Sequence, residues 1–308
     1  MGSYRGVQDR TFAGLAALSA GTVILLVVGI FVALLAGSGP SIREFGARFL
    51  FSQEWNPVSQ QFGALSSIYG TLLSTGIAMV IAVPLSLIIA LFLVELAHPA
   101  VSRVVGGAIE LLAAIPSIIY GMWGLFVLAP VMARYVQPFI GKWAGDLPLF
   151  TGPPIGIGML TAGIILALMI LPFITSVTRD VLNMVPDVVK ESAYGLGATT
   201  WEVTRQVTVR HGIMGIVGAC FLGLGRAIGE TMAVTFVIGN THRISPSLFA
   251  AGNSIASTLA NEFTEAAENL YLSSLIELGL VLFLITFLIQ LAARIWLQRT
   301  RRKLGVTR

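Results

Sequence analysis

The sequence predicts an all-α integral membrane protein with six transmembrane helices. Hydrophobic residues make up 56% of its 308 residues and charged residues only 11%, less than half the charged fraction of an average soluble domain. The apolar runs are long and unbroken, whereas the strands of a membrane β-barrel are short and alternate in polarity. This composition excludes a disordered chain, a disulfide-stapled secreted domain and almost any single-domain soluble enzyme.

The first four spans follow long uncharged runs. We predict them at residues 13–36, 67–95, 104–135 and 155–179. The run at 111–133 alone is about 34 Å long as a helix, enough for a hydrocarbon core of about 30 Å. The first span is not read as a cleaved signal peptide, because its apolar core is too long and no cleavage site followed by a soluble domain comes after it.

Three prolines lie inside the predicted spans two, three and four: Pro84, Pro116 and Pro172. Each removes a backbone donor, so each is predicted to kink or weaken its helix. Such breaks are tolerated where helices pack or line a cavity. Proline is also frequent in membrane helices generally, so these positions do not by themselves indicate transport.

The last two spans are apolar but contain charged residues. We predict span five at 211–240, with Arg226 and Glu230 inside it, and span six at 270–297. Residues 244–261 are also uncharged, but they are rich in serine, asparagine, glycine and alanine, so their transfer into lipid is weakly driven. An external or partly re-entrant segment is predicted there rather than a seventh span.

The basic residues orient the spans. Most of the 19 lysine and arginine residues fall on segments that are cytoplasmic if the N-terminus is cytoplasmic, so both termini are predicted inside. The net charge of +4 therefore reflects membrane topology rather than a nucleic-acid partner. Residues 1–12 form a cytoplasmic N-terminus, 13–66 the first span and an outer loop, 67–297 the transmembrane core, and 298–308 a basic cytoplasmic tail.

Residues for catalysis, metal binding or nucleotide binding do not stand out. Cys220 is the single cysteine, and with three scattered histidines it cannot form a zinc cluster or an internal disulfide. Lys142 is followed by Trp143 and lacks the glycine pattern and hydroxyl residue of a phosphate-binding loop. A transport subunit with no catalytic residue, cofactor or metal is predicted, not an enzyme.

The longest inner segment, residues 180–210, is named here the inner loop. Asp187 is predicted to cap a short helix that Gly197 ends, because glycine takes the left-handed conformation without strain. Thr199 or Thr200 is predicted to cap a second short helix. Two helices lying parallel to the membrane on the cytoplasmic side are expected, with an ordinary amphipathic surface loop as the alternative.

Glu191, Ala193 and Gly197 follow the spacing Glu-Ala-Ala, three residues, Gly, and the inner loop resembles the EAA loop of ABC importer permeases. Ser192 replaces an alanine of that pattern, and Arg210 stands where the family often has proline. The resemblance implies a type I ABC importer permease architecture. It also implies that the inner loop docks into a groove on a separate ATPase subunit and transmits its closure to the membrane helices.

Arg226 and Glu230 are four residues apart, so they are predicted to share one face of span five. Buried charges in a membrane usually face a polar pathway or a partner charge. A guanidinium can bind a tetrahedral oxyanion with two hydrogen bonds, and a carboxylate can accept one from a protonated oxyanion, so the pair fits hydrogen phosphate better than sulfate. Gly223, Gly225 and Gly229 are predicted to open room nearby. The alternative is an intrahelical salt bridge.

The runs 225–235, 252–261 and 114–121 resemble the membrane subunits of phosphate ABC importers, the PstC type most closely, and the similarity extends from span two onward. This resemblance implies ATP-driven phosphate import across the bacterial cytoplasmic (inner) membrane, with Arg226 and Glu230 on the phosphate pathway. It also implies four kinds of contact: a sister permease subunit of the PstA type, two ATPase subunits, an external phosphate-binding protein and the lipid bilayer.

Several questions are left open by the sequence. Sulfate, molybdate or another oxyanion could replace phosphate as the cargo. An ATPase-independent anion channel or secondary transporter would need no nucleotide-binding partner.

Glu110, predicted inside span three, and Glu277, near the outer end of span six, are both predicted to pair with helices of a partner subunit.

Overall fold

The computed structural model of the chain describes residues 2–145 and 147–303. Within these ranges the chain is almost entirely helical, and Asn56 pairs with Gln61 in an isolated bridge. The helices, in chain order, are α1 (Gly2–Gly37), α2 (Gly39–Phe45), α3 (Arg48–Phe51), α4 (Leu65–Leu91), α5 (Pro99–Ala113), α6 (Ser117–Trp123), α7 (Ala129–Val131), α8 (Gln137–Ala144), α9 (Met159–Asn183), α10 (Asp187–Gly195), α11 (Thr200–Glu202), α12 (Val209–Ile228), α13 (Met232–Ile238), α14 (Ile255–Glu262) and α15 (Asn269–Lys303).

Six helical segments of the described chain are long and apolar enough to cross a membrane, as predicted. They are Asp9–Gly37, Leu65–Leu96, Ser117–Ala144, Met159–Asn183, Thr200–Ile228 and Asn269–Thr300. An even number of spans puts both ends of the chain on the same side. Residues 244–261 add no seventh span, since they form an extended stretch followed by the short α14. Residues 304–308 of the predicted basic tail lie outside the described residues.

Span three begins later than predicted. The range 104–135 is interrupted between α5 and α6, where the helix ends at Ala113 and resumes at Ser117. Pro116 explains the break, because it cannot donate a backbone hydrogen bond and it disfavours the helical conformation of the residue before it. The prediction that Glu110 lies inside this span was therefore wrong, since Glu110 belongs to the separate helix α5.

The two carboxylates predicted to await a partner subunit are bound within the chain. Glu110 Oε1 accepts a hydrogen bond from Arg179 Nη2 of α9 at 2.5 Å. Glu277 Oε2 accepts one from Ser41 Oγ at 2.5 Å, and the Ser41 hydroxyl also contacts that of Ser274. Each carboxylate thus has a donor within the chain, brought by a helix far away in sequence, and pairing with a partner subunit stays a prediction.

Helix α9 is the centre of the bundle. It packs against α4, α5, α12 and α13, and most of its inner residues are buried. Gly163 lets α4 come close, since a Cβ there would lie 2.5 Å from Ile77 Cγ2. The Ser86 hydroxyl donates to the carbonyl of Leu171 at 3.0 Å, a polar link of the kind that joins helices in lipid. By contrast, α1 packs mainly on α15 and has no buried residue between positions 9 and 37.

A polar network closes the outer end of the bundle. Glu262 accepts hydrogen bonds from Trp55 Nε1 at 2.6 Å and from the Tyr271 hydroxyl at 2.7 Å, and His242 Nε2 lies 2.8 Å away. Burial raises the pKa of Glu262, but the hydrogen bonds from His242, Tyr271 and Trp55 outweigh burial and hold the pKa below its ordinary value. Glu262 is thus an ionised anchor for the outer segment, and His242 serves this network.

Replacing Gly70 with alanine is expected to lower the melting temperature of the detergent-solubilised protein by about 5 °C, because overpacking of this kind costs about 1–3 kcal/mol. A Cβ on Gly70 would overlap the carbonyl oxygen of Asn253, part of the backbone that leads into α14. Gly76 lies on the same helix with nothing near its would-be Cβ, so Gly76→Ala is the matched control. Equal melting temperatures for the two variants would contradict this packing.

Candidate functional site

The first half of the inner loop folds as predicted, with one correction. A short helix forms, α10, and Gly197 after it has φ +86, the left-handed conformation expected of a helix-ending glycine. The Gly197 N–H donates to the Tyr194 carbonyl at 2.9 Å, which closes the last turn. Asp187 is the first residue inside the helix, not its cap, because the helix starts directly after Pro186. The acidic side chain still favours the N-terminal end of the helix.

The second half of the inner loop is the first part of span five. Thr199 caps it as predicted, with its hydroxyl bonded to the Glu202 N–H and the Glu202 carboxylate bonded back to Thr199. A separate second helix parallel to the membrane does not form, because α11 continues through the π-helical turn Val203–Thr208 into α12. No proline interrupts this stretch, since position 210 is arginine, so the backbone hydrogen bonds run on into the span.

The inner loop presents an exposed apolar surface, which we call the loop patch. None of the residues of α10 is buried. Glu191 and Gly197 are exposed, and Ala193 is half-buried. The large apolar side chains of the loop patch are Met184, Val188, Val189, Tyr194, Leu196 and Trp201, and Leu196 is 90% exposed. Apolar groups of this size on a cytoplasmic loop indicate a protein–protein contact.

One anchor of the inner loop was missed by the sequence reading. Lys190 Nζ of α10 lies 2.7 Å from Glu95 Oε1 at the end of span two, and Thr208 Oγ1 donates to the same oxygen at 2.9 Å. An acidic residue that directly follows a long apolar run was the only local clue. Its partners are distant in sequence, so only the fold reveals the pairing.

Arg226 and Glu230 do not share a helix face, which corrects the prediction. Helix α12 ends at Ile228, and the chain breaks over residues 229–231 before α13 begins. The Glu230 N–H bonds to the Ala227 carbonyl at 3.3 Å, three residues back, instead of continuing the four-residue ladder to Arg226. The predicted span 211–240 is therefore interrupted, and Glu230 lies in the break between two helices.

Arg226 is exposed at the end of α12. Its guanidinium carbon lies 5.7 Å from the centroid of the Phe173 ring, a cation–π distance. Among the described residues it forms no ion pair, so the predicted alternative of an Arg226–Glu230 salt bridge is not found. A guanidinium without an ion pair in a membrane-spanning segment must face a polar space or a partner group, because exposure of its charge to lipid is costly.

Glu230 is half-buried, and its Oε1 atom accepts a hydrogen bond from the Ala233 N–H at 3.2 Å. The carboxylate thereby satisfies one of the free donors in the first turn of α13. Helix α13, which follows this break, packs on α6, which follows the break after α5. Gly121 makes this possible, since a Cβ there would lie 2.9 Å from the Met232 carbonyl oxygen.

The glycines near Arg226 do not leave the open room that was predicted. A Cβ on Gly223 would lie 2.6 Å from Ile174 of α9, and one on Gly225 would overlap the Gln290 amide of α15. These two glycines are close-packing positions that let neighbouring helices approach. Only Gly229 lies in open surroundings, where the nearest atom to its would-be Cβ is the Gly225 carbonyl oxygen at 3.8 Å.

A sequence profile described as "Binding-protein-dependent transport system inner membrane component" matches residues 82–302. The chain belongs to this family. It is therefore a multi-pass protein of the bacterial inner membrane and a transport permease subunit. The match begins within span two and covers spans three to six and the inner loop.

Relatives with assigned names are similar over nearly the whole chain. The chain is 55% identical over 303 residues to the phosphate transport system permease protein PstC of Mesorhizobium japonicum, covering 97% of this chain and 93% of that protein. It is 52% identical over 287 residues to PstC of Pasteurella multocida, covering 92% and 89%.

Solved structures show the same fold at low sequence identity. An inward-facing structure of the MetNI methionine ABC transporter matches with TM-score 0.53 and 19% identity, covering 80% of this chain and 95% of that one. A bacterial ABC transporter that imports the acidic polysaccharide alginate matches with TM-score 0.61 and 16% identity, covering 92% and 95%. The predicted importer permease architecture is confirmed.

Proposed function

We propose that this chain is the membrane permease subunit of an ATP-driven importer that carries inorganic phosphate across the bacterial inner membrane. The observation that carries the proposal is the guanidinium of Arg226, which lies at a helix break and forms no ion pair among the described residues. It occurs in a chain whose relatives, along nearly their whole length, are phosphate transport permeases. ATP is hydrolysed by separate ATPase subunits, and this chain performs no chemistry itself.

Arg226 is proposed to contact phosphate as it passes the middle of the membrane. Its planar guanidinium can donate two parallel hydrogen bonds to an oxyanion. The partial exposure of the side chain in the single chain agrees with a pathway that a second permease subunit completes. The sister subunit is proposed to be of the PstA type and to bring a matching group to the same depth.

Glu230 is proposed to favour the protonated form of the cargo. One of its oxygens is held by the Ala233 N–H, which fixes the carboxylate at the break. The second oxygen can accept the proton of hydrogen phosphate, whereas sulfate has no proton to donate at neutral pH. The Arg226–Glu230 arrangement therefore attracts an anion while selecting one that carries a hydrogen.

The inner loop is proposed to dock on an ATPase subunit through the loop patch. Glu191, Ala193 and Gly197, which follow the spacing of the EAA pattern, lie on or just after the exposed helix α10. An exposed helix with apolar side chains suits insertion into a groove of a partner. Closure of two ATPase subunits on ATP would move α10 and open the spans outward, and hydrolysis would return them.

An external phosphate-binding protein is proposed to deliver the cargo on the outer side. The outer segment between α13 and α15 is held rigid by the network around Glu262 and His242, so it offers a fixed surface for docking. A cavity of about 820 Å³ opens beside it, lined by Thr241, His242 and Arg243 among others. Release of phosphate at this end would lead inward to Arg226.

The proposal is tested by measuring labelled phosphate uptake in cells whose own copy of this gene is deleted and which express the intact chain from a plasmid. We expect uptake to require an ATPase subunit able to hydrolyse ATP and to be blocked by excess phosphate, but not by sulfate or molybdate. Block by sulfate or molybdate would instead indicate another oxyanion as the cargo. Uptake that continues with a hydrolysis-defective ATPase would indicate a channel or secondary transporter.

A further inference from the structure

Glu95 lies where three elements of the cytoplasmic half meet. It belongs to the π-helical turn Phe92–Leu96 that ends span two, and its side chain is only 6% exposed. Its Oε1 atom accepts hydrogen bonds from Lys190 Nζ at 2.7 Å and from Thr208 Oγ1 at 2.9 Å. Since Lys190 is on α10 and Thr208 precedes α12, one carboxylate joins span two to both halves of the inner loop.

Helix α10 has few other contacts that fix its position. Of its nine residues none is buried, and only Lys190 and Ala193 are half-buried. It packs mainly on the turn Val203–Thr208, which follows it in the chain. The methyl group of Ala193 restrains the orientation of α10 only weakly. The Lys190–Glu95 ion pair restrains it more strongly, because its side chains are 15% and 6% exposed and are shielded from water and salt.

We propose that Glu95 is a positioning residue that transmits the displacement of α10 to spans two and five. This inference rests on the proposed function, in which an ATPase moves the inner loop. A shift of α10 pulls Lys190 and with it the Glu95 carboxylate, and the bond from Thr208 draws the start of span five along. The movement then reaches two spans at once, not only the one that follows α10 in the chain.

A short connection leads from Glu95 to the break beside Arg226. The His98 ring caps the start of α5, with its Nδ1 atom accepting an N–H of the first turn at 3.3 Å. Further along α5, Glu110 pairs with Arg179 of α9 at 2.5 Å. Helix α5 ends at the break before α6, which packs on α13. In this proposal, displacement of Glu95 reaches the region of Arg226 through α5 and the α6–α13 contact.

Three variants distinguish an effect of the Lys190–Glu95 ion pair from an effect of either residue alone. Glu95→Gln keeps the size of the side chain but removes its charge, and Lys190→Met keeps the apolar stem but removes the ammonium. Either change leaves the remaining charge shielded without a partner, which is strongly unfavourable for the contact. The exchanged pair, Glu95→Lys with Lys190→Glu, rebuilds an ion pair of reversed polarity, so its recovery would identify the pair as the functional unit.

The test combines hydrogen exchange of the α10 amides with phosphate uptake per ATP hydrolysed, both on the complete importer. We expect exchange about tenfold faster and uptake per ATP about fivefold lower in each single variant, with the ATPase still co-purified because the loop patch is unchanged. The exchanged pair should return both quantities to within about twofold of the original. Arg205→Gln is the control, since it removes an exposed inner-loop charge that lies outside α10 and forms no ion pair among the described residues.

Unchanged exchange and unchanged coupling in both single variants would overturn the proposal, as would an exchanged pair that restores nothing. If the charge variants fail to assemble, Thr208→Val removes only the second hydrogen bond and should still loosen α10 about twofold, and normal exchange there would overturn it. The exchange rates need no transport, so they test whether Glu95 holds α10 separately from the uptake measurement. Uptake that proves independent of the ATPase would overturn the proposed function, and with it the transmitting role of Glu95, even if exchange shows that Glu95 holds α10.

Discussion

Replacing Arg226 with alanine is expected to lower phosphate uptake about 100-fold while leaving the importer assembled, the largest functional effect predicted for this chain. Charge-assisted hydrogen bonds contribute about 1.5–3 kcal/mol each, and about 2.7 kcal/mol corresponds to 100-fold in rate. The side chain is exposed and forms no ion pair among the described residues, so its removal leaves no buried carboxylate behind. Labelled phosphate uptake at matched membrane expression measures the effect.

Arg226→Lys should also impair uptake, though less, because an ammonium keeps the charge but not the planar fork. Arg134→Ala is the matched control, since Arg134 is another exposed arginine of a span without an ion pair in the described chain, far from the break. Equal uptake by Arg226→Ala and the control would return Arg226 to a structural role. A loss in Arg226→Ala alone would support the proposed pathway.

The number of spans was predictable because hydropathy alone decides which segments enter lipid, whereas the breaks within them were not. Three prolines were expected to weaken their helices alike, yet α4 and α9 continue through Pro84 and Pro172, and only Pro116 separates two helices. Neighbouring helices decide the outcome. Helices α6 and α13, which follow the two breaks, pack together at Gly121, a contact that no local pattern reveals.

In the candidate site too, features set by neighbouring residues in the sequence were predictable, whereas features set by contacts between distant residues were not. The left-handed conformation of Gly197 and the cap at Thr199 were predicted because both depend on residues only a few positions away. Glu95 was missed because its partners are far along the chain. The glycines near Arg226 were assigned to the pathway, although two of them make room for side chains of other helices. Local rules describe the turn at Gly197 and the cap at Thr199 well, but not the continuous helix that follows or the break at Arg226.

Gly197→Val is expected to reduce phosphate uptake about 30-fold and to weaken the co-purification of the ATPase. With φ +86 the backbone here is left-handed, which costs an ordinary residue about 1–2 kcal/mol and a β-branched one more. Nothing lies within 4 Å of a Cβ at this position, so the effect comes from the backbone and not from a steric clash. A shift to negative φ would redirect α10 relative to Thr199 and span five.

Gly195→Val provides the matched control for this argument. Gly195 is the last residue of α10, its φ is not positive, and its would-be Cβ also has nothing within 4 Å. The two variants add the same side chain two residues apart on an equally open surface, so they differ in the backbone conformation that the valine must adopt. A similar loss in both would mean that added bulk blocks the ATPase, and the left-handed turn would then have no separate role. Loss in Gly197→Val alone would show that the angle between α10 and span five carries the coupling.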